Sequence, residues 1–123
     1  MGDLKQADVR SAPQNLEAER SVLGALLLHP DAVADVSFLR GEDFFLRRHQ
    51  LIYESIVGAY NDRQVTDPIA VGHLSRLGQL DEVGGHAQLL DLMEGVVTAA
   101  GVVHHADIVR EKSVQRQLIN VCL

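Results

Sequence analysis

The sequence has no tryptophan, a single cysteine and few rings of any kind: aromatics make up 4% of its 123 residues. A core without large rings has to be built from Leu, Val, Ile and Ala, and a hydrophobic fraction of 46% supplies enough of them for one domain. Cys122 has no second cysteine to pair with, so no internal disulfide forms, which fits a reducing cytoplasm. Long apolar runs are also missing. Residues 1–13 lack the apolar centre of a signal peptide, and the run at 25–28 is far too short to cross a bilayer. Cations are outnumbered, with 11 Lys and Arg against 17 Asp and Glu and a formal net charge of −6. Tight non-specific binding to nucleic acid needs several cations near phosphates, so this balance argues against it. Two local basic groups remain, Arg47 with Arg48, and Arg110 with Lys112 and Arg116; both read as solvated helix surface.

The chain also lacks the spacings that carry chemistry. No Gly-x-x-x-x-Gly-Lys-Ser/Thr stretch and no Gly-x-Gly-x-x-Gly occurs. Gly84 and Gly85 are too few to cradle a phosphate and read as a turn that opens the next helix. Zinc needs three or four converging ligands. His104 and His105 are adjacent, so on a helix they point about 100° apart. His49 lies on the apolar face of its helix one turn before Tyr53, and reads as a core or half-buried histidine with a hydrogen-bond partner. His29, His73 and His86 fall near helix ends or on surfaces. The acidic pairs Glu17/Glu19, Glu42/Asp43 and Asp81/Glu82 sit at turns and helix starts, where they read as caps rather than as acid–base catalysts. Cys122 reads as a passive thiol, and the serines have no nucleophile-elbow context. The expectation is no catalytic, cofactor or metal site in this segment, and no hydrolysis of nucleotides.

What is present is helical periodicity. Residues 1–13 read as a flexible tail. Asn15 is a plausible N-cap for a helix to about residue 28, with Leu16, Val22, Leu23, Leu26 and Leu27 on one face. Ala18, Ser21 and Ala25 form a neighbouring small-residue strip, so a second helix can come close. Pro30 opens a short helix over 31–39. A single turn at 42–45 follows, with Phe44 and Phe45 plugging the core. The next helix, 47–60, repeats Leu51, Ile52, Ser55, Ile56, Ala59 and Tyr60. Asp67 before Pro68 starts another, which Gly78 ends. Leu80 and Val83 sit in a turn closed by Gly84 and Gly85, and a helix over 86–93 comes next. Thr98 caps the last and longest helix, from Ala99 to the end. Val102, Val103, Ala106 and Val109 share one face in its first half; the stripe then rotates to Val114, Leu118 and Val121. The first half is expected to pack on the globule and the second to leave it and present a seam to another helix. A helix that bends around the same core is the alternative. No strand alternation or repeat appears. The fold class is all-α, with a tail at 1–13, a helical globule at 14–97 and a long helix at 98–123.

Four stretches in order carry a resemblance to a known family: "PQNLEAERSVLGALL" at 13–27, "EDFFLRRHQLIYESI" at 42–56, "VTDPIAVGHLSRLGQLDEVGG" at 65–85 and "HHADIVREKSVQRQLI" at 104–119. Together they resemble the N-terminal domain of the bacterial replicative DNA helicase, the DnaB family, over about residues 13–119. Glu19, His49, Tyr53, Asp67, Gly84 and Gly85 stand at structural positions of those stretches. Gly41, Gln88, Gly101 and His105 depart from the residues frequent in the family. They lie at surface, cap or contact positions and bear on partner contacts rather than on the fold. The resemblance implies a helical globule followed by a helical hairpin, of which the last helix is the first arm and Leu123 lies in or just after it. It implies hairpins that pair copies of the domain into dimers, and dimers that form one tier of a hexamer. It implies docking of the C-terminal helicase-binding domain of primase, and a motor with ATP and Mg²⁺ in a separate domain. Val114, Leu118 and Val121 are then the candidate oligomer interface. The expected function is a non-catalytic scaffold at a bacterial replication fork, in the cytoplasm, with no direct nucleic acid. The rival readings are a helical DNA-binding module, with a helix-turn-helix at 67–94, and an enzyme with an unrecognised site.

Overall fold

The computed structural model describes residues 12–61, 78–95 and 100–122, with side chains as far as residue 120. Among these the elements are α1 (Leu16–Leu28), α2 (Arg47–Asn61), α3 (Gly85–Glu94) and α4 (Val102–Cys122), with short 3₁₀ turns between them and no strand. The expected all-α fold is observed. The helix expected after Asp67, the capping Thr98 and most of the 1–13 tail lie outside the described residues.

The central helix is α1. Asn15 caps it: its side-chain oxygen accepts from the Ala18 N–H at 2.9 Å. Residues 22–26 are all buried. Five consecutive positions exceed one turn, so the helix is covered on every side. The coverings are α2, α3 and α4, which all pack against it. The small strip is where neighbours come close, with Ala18 and Ala25 each 2% exposed. His29 N–H donates to Ala25 O at 2.8 Å, and Pro30 then ends the helix.

The segment after α1 differs from the expected α-helix over 31–39. It is a 3₁₀ helix, Pro30–Val36, extended by a Leu39 N–H to Val36 O bond of 3.0 Å. Three residues per turn align Val33, Val36 and Leu39, and all three are buried. An α-helix would fan them apart. The following turn is Gly41–Asp43. Phe44 does plug the core, at 1% exposure, and stacks at a tilt on Tyr53 with ring centroids 4.9 Å apart. Phe45 does not. It is half-buried, with the Arg116 guanidinium 5.4 Å from its ring centre, because successive residues of extended backbone face opposite ways.

The turn before α3 needs its glycines. Gly84 and Gly85 have φ of 98° and 72°, where a side chain is strained. A Cβ on Gly84 would also meet Gln88 Cβ at 2.9 Å. With this geometry Gly85 N–H reaches Leu80 O at 2.9 Å and closes the turn around the buried Val83.

The last helix begins at Val102, three residues later than expected. His105 N–H and its ring Nδ1 both lie within hydrogen-bond distance of Gly101 O, at 3.1 and 2.9 Å. Val102, Ala106 and Val109 are buried at i, i+4, i+7 spacing, as expected. Val103 is 43% exposed, because it stands about 100° from that face.

Candidate functional site

Two features of the described residues stand apart from ordinary core packing, and they meet on α4. One is a layer of buried polar groups between the 40–50 segment, α1 and α4. The other is the exposed apolar surface that follows it along α4.

The buried layer has two centres. In the first, Glu19 is 1% exposed although it lies in the first turns of α1. One carboxylate oxygen accepts from Phe45 N–H at 2.7 Å, and the other lies 2.8 Å from His49 Nδ1. An ionised carboxylate has no proton to give, so Nδ1–H donates and Nε2 is left facing the core. Among the described residues Nε2 has no hydrogen-bond partner. In the second centre, Asp43 is 0% exposed. Its carboxylate accepts from Arg40 N–H at 2.7 Å, from Arg110 Nη1 at 2.8 Å and from Ser113 Oγ at 2.7 Å. Arg116 adds two bonds to backbone carbonyls, Asp43 O through Nη2 and Pro13 O through Nη1, each at 2.7 Å. Burial lowers the affinity of the Arg116 guanidinium for its proton, and the negative charges of Glu19 and Asp43 act the other way.

Tyr53 closes the layer from α2. Its hydroxyl donates to Leu39 O at 2.9 Å, with Val36 O at 3.4 Å. Burial, with the negative charge of Asp43, pushes the phenol up to about 12. An unfolded tyrosine ionises near 10, so between pH 10 and 12 the unfolded state loses the proton first. Stability from this group is therefore whole below pH 10 and falls as pH rises toward 12. Tyr53→Phe is expected to cost about 1 kcal/mol at neutral pH, the net worth of one hydrogen bond. It should also flatten the loss of stability between pH 10 and 12, measured by denaturant unfolding across that range.

These positions correct several sequence expectations. Glu19 and Asp43, read as caps, are fully buried and bond to distant segments as well. Asp43 does cap the Gly41–Asp43 turn, but it also receives two side chains from α4. Arg116 turns its guanidinium inward to Asp43 O and Pro13 O, and Arg110, though 43% exposed, bonds the buried Asp43 carboxylate rather than standing free. His49 is fully buried with a partner, as its position on the helix face indicates. The pairing with Glu19, 30 residues away, left no signal in the spacing. The burial of Ser113 was missed because a serine at the end of an apolar face looks like the end of the packed surface. A signal existed in retrospect: Arg110, Ser113 and Arg116 recur every three residues and continue the face of Ala106 and Val109.

On the side of α4 away from this layer, and past Arg116, apolar side chains are exposed. Val114, Leu118 and Ile119 are 37%, 59% and 48% exposed. The first two are expected stripe residues; the side chain of the third, Val121, lies outside the described residues. Asp67 also lies outside them, while Gly84 and Gly85 form the turn described above. A shallow groove of about 200 Å³ between α1 and α3 is lined by Glu17, Arg20, Ser21, Asp91, Leu92 and Gly95. It is smaller than a usual small-molecule site. Among the described residues no three His, Cys, Asp or Glu side chains are grouped to hold a metal, and no helix is long and apolar enough to cross a membrane.

Among the described residues the chain is thus an all-α globule with a buried polar layer and a last helix whose outer part offers apolar side chains to solvent. Comparison with known proteins gives that fold a family. The family description "DnaB-like helicase N terminal domain" matches residues 11–111, and the chain belongs to this family. It is 42% identical over 112 residues to the replicative DNA helicase DnaB of Leifsonia xyli, covering 89% of this chain and 24% of that protein. Identity to the DnaB of Mycobacterium leprae is also 42%, over 89% of this chain and 18% of the relative. With the replicative DNA helicase DnaC of Bacillus subtilis it is 40%, over 89% and 25%. The chain thus spans about a quarter or less of these relatives. A solved structure, the N-terminal domain of DnaB helicase from Mycobacterium tuberculosis, matches with a TM-score of 0.81 at 39% identity, covering 89% of this chain and 80% of that one.

Proposed function

We propose that this domain is a non-catalytic scaffold of a replicative helicase, which pairs with other copies through α4 and docks the C-terminal helicase-binding domain of primase. ATP and Mg²⁺ chemistry would belong to a separate motor domain, and the setting would be a replication fork in the bacterial cytoplasm. The observation that carries the reading is the exposed set Val114, Leu118 and Ile119, which begins on the open side of the polar layer and continues past Arg116, whose guanidinium bonds Asp43 O and Pro13 O. Apolar side chains at helical spacing on a projecting helix are a seam without a partner in the single chain. Family membership gives the direction of the reading, since relatives that share the domain are named as replicative helicases. The DNA-binding alternative rests on 67–94, of which residues 67–77 lie outside the described residues. Of the basic side chains elsewhere, Arg110 and Arg116 bond to Asp43 and to backbone carbonyls, while Arg47 and Arg48 are exposed.

The test is a calorimetric titration of the domain with the primase C-terminal domain of the same organism, with light scattering on the free domain. Saturable binding, together with no ATP hydrolysis by the domain alone, supports the scaffold reading. Absence of binding by a chain that is already a stable dimer counts against primase as its partner. Salt-dependent retention on DNA would return the alternative to first place.

A further inference from the structure

The contacts of α4 fall into three consecutive zones. From Val102 to Val109 the helix is held by apolar burial, with Val102, Ala106 and Val109 in the core. From 110 to 116 it is held by polar bonds: Arg110 and Ser113 to the Asp43 carboxylate, and Arg116 to Asp43 O and Pro13 O. Residues 117–120 are exposed. Val114 already faces solvent on the open side of the polar zone, and the polar bonds are the contacts of α4 nearest to its exposed last turns.

We infer that the Asp43 cluster is a latch that sets the direction of the outer half of α4. The argument is mechanical. Apolar burial is non-directional. A hydrogen bond to a buried carboxylate or carbonyl weakens steeply when misaligned. The three latch residues are spaced by three, so they line one face of the helix and resist tilting away from the 40–45 segment. The fixed side is itself well anchored. Arg40 N–H holds the Asp43 carboxylate, Phe45 N–H bonds Glu19, and Gln50 Nε2 donates to Phe44 O at 2.8 Å. Pro13 brings the entry to α1 into the same grip. From Val109 to the end of α4 is about 20 Å of helix, so a tilt of roughly 20° at Val109 would move its last turn by about 7 Å. Such a shift would aim the exposed stripe elsewhere. The latch is polar and partly open to water, with Arg110 43% exposed, so it can be released without opening the apolar core.

The test reads direction, not stability. Spin labels at Arg48→Cys on α2 and Asn120→Cys on α4, both exposed positions, are placed in a Cys122→Ser background. The labelled chain is diluted with unlabelled chain so that only distances within one molecule are read. The parent is expected to give one narrow distance distribution. Arg110→Gln with Arg116→Gln leaves Asp43 its bonds to Arg40 and Ser113, and should broaden or shift the distribution by several ångströms while α1 and α2 keep their native amide spectrum. An unchanged narrow distribution overturns the proposal. If the double variant does not fold, Arg116→Lys decides: it keeps the charge but cannot span both carbonyls, and an unchanged distance in it also overturns the latch. Light scattering on the same samples reads the pairing proposed above separately. A changed distance in a chain that stays monomeric supports the latch even if the pairing reading fails.

Discussion

Glu19→Ala is expected to lower the unfolding free energy by about 3–5 kcal/mol, because it strands two hydrogen-bond donors that the carboxylate now holds. The size follows from what is left behind. His49 is 0% exposed, and its Nε2 already has no hydrogen-bond partner among the described residues. Without Glu19, Nδ1 is stranded too, and so is the Phe45 N–H that the other carboxylate oxygen holds. Each buried orphan costs about 1–3 kcal/mol. The double replacement Glu19→Leu with His49→Leu removes both polar partners, so it should cost less than the sum of the single changes. Denaturant unfolding of the four proteins of the cycle measures the difference. Additive costs would show that the two side chains are not coupled.

The second large effect is expected at Asp43. Asp43→Ala should cost about 2–4 kcal/mol, given that hydrogen bonds to charged groups are worth about 1.5–3 kcal/mol each. The loss is smaller than three such bonds would suggest, because Arg110 is 43% exposed and can turn to water. Arg40 N–H and Ser113 Oγ have less freedom, Ser113 being 2% exposed. Removing a partner on the exposed side should cost less still: Arg110→Ala is expected to lower stability by about 1 kcal/mol. Thermal and denaturant unfolding of the two variants check the order. An Arg110→Ala change as costly as Asp43→Ala would contradict the asymmetry.

Much of the fold is legible in the sequence because the strongest signals are local. Asn15 before Leu16, Pro30 after Leu28, and Gly84 with Gly85 mark boundaries through backbone chemistry that neighbours cannot override. The apolar face of α2 follows from the 3.6-residue period. The 3₁₀ form of Pro30–Val36 is less legible, since Val33, Val36 and Leu39 fit a three-residue repeat as well as a helical one. The polar layer is the least legible part. Glu19 and His49 are 30 residues apart, and Asp43 and Ser113 are 70 apart. Nothing in either local pattern tells a buried carboxylate from a surface cap. What separates them is a donor brought from a distant helix, and a single sequence read by periodicity does not contain that. The exposed stripe is legible for the opposite reason. Val114 and Leu118 lie off the face of Val102, Ala106 and Val109, and a straight helix cannot bury both faces on one globule.

The measurement that bears most directly on the docking role of α4 is sedimentation equilibrium of the chain beside its Leu118→Asp variant. Leu118 is 59% exposed, so the change should leave unfolding within about 0.5 kcal/mol of the parent. Across a two-fold interface each pair loses two leucines, about 1–2 kcal/mol apiece, so the dimer dissociation constant should rise about 30- to 1000-fold. A parent that associates reversibly and a folded variant that stays monomeric at the same concentration is the result expected. Equal association of the two proteins would contradict the assignment of this stripe as the seam.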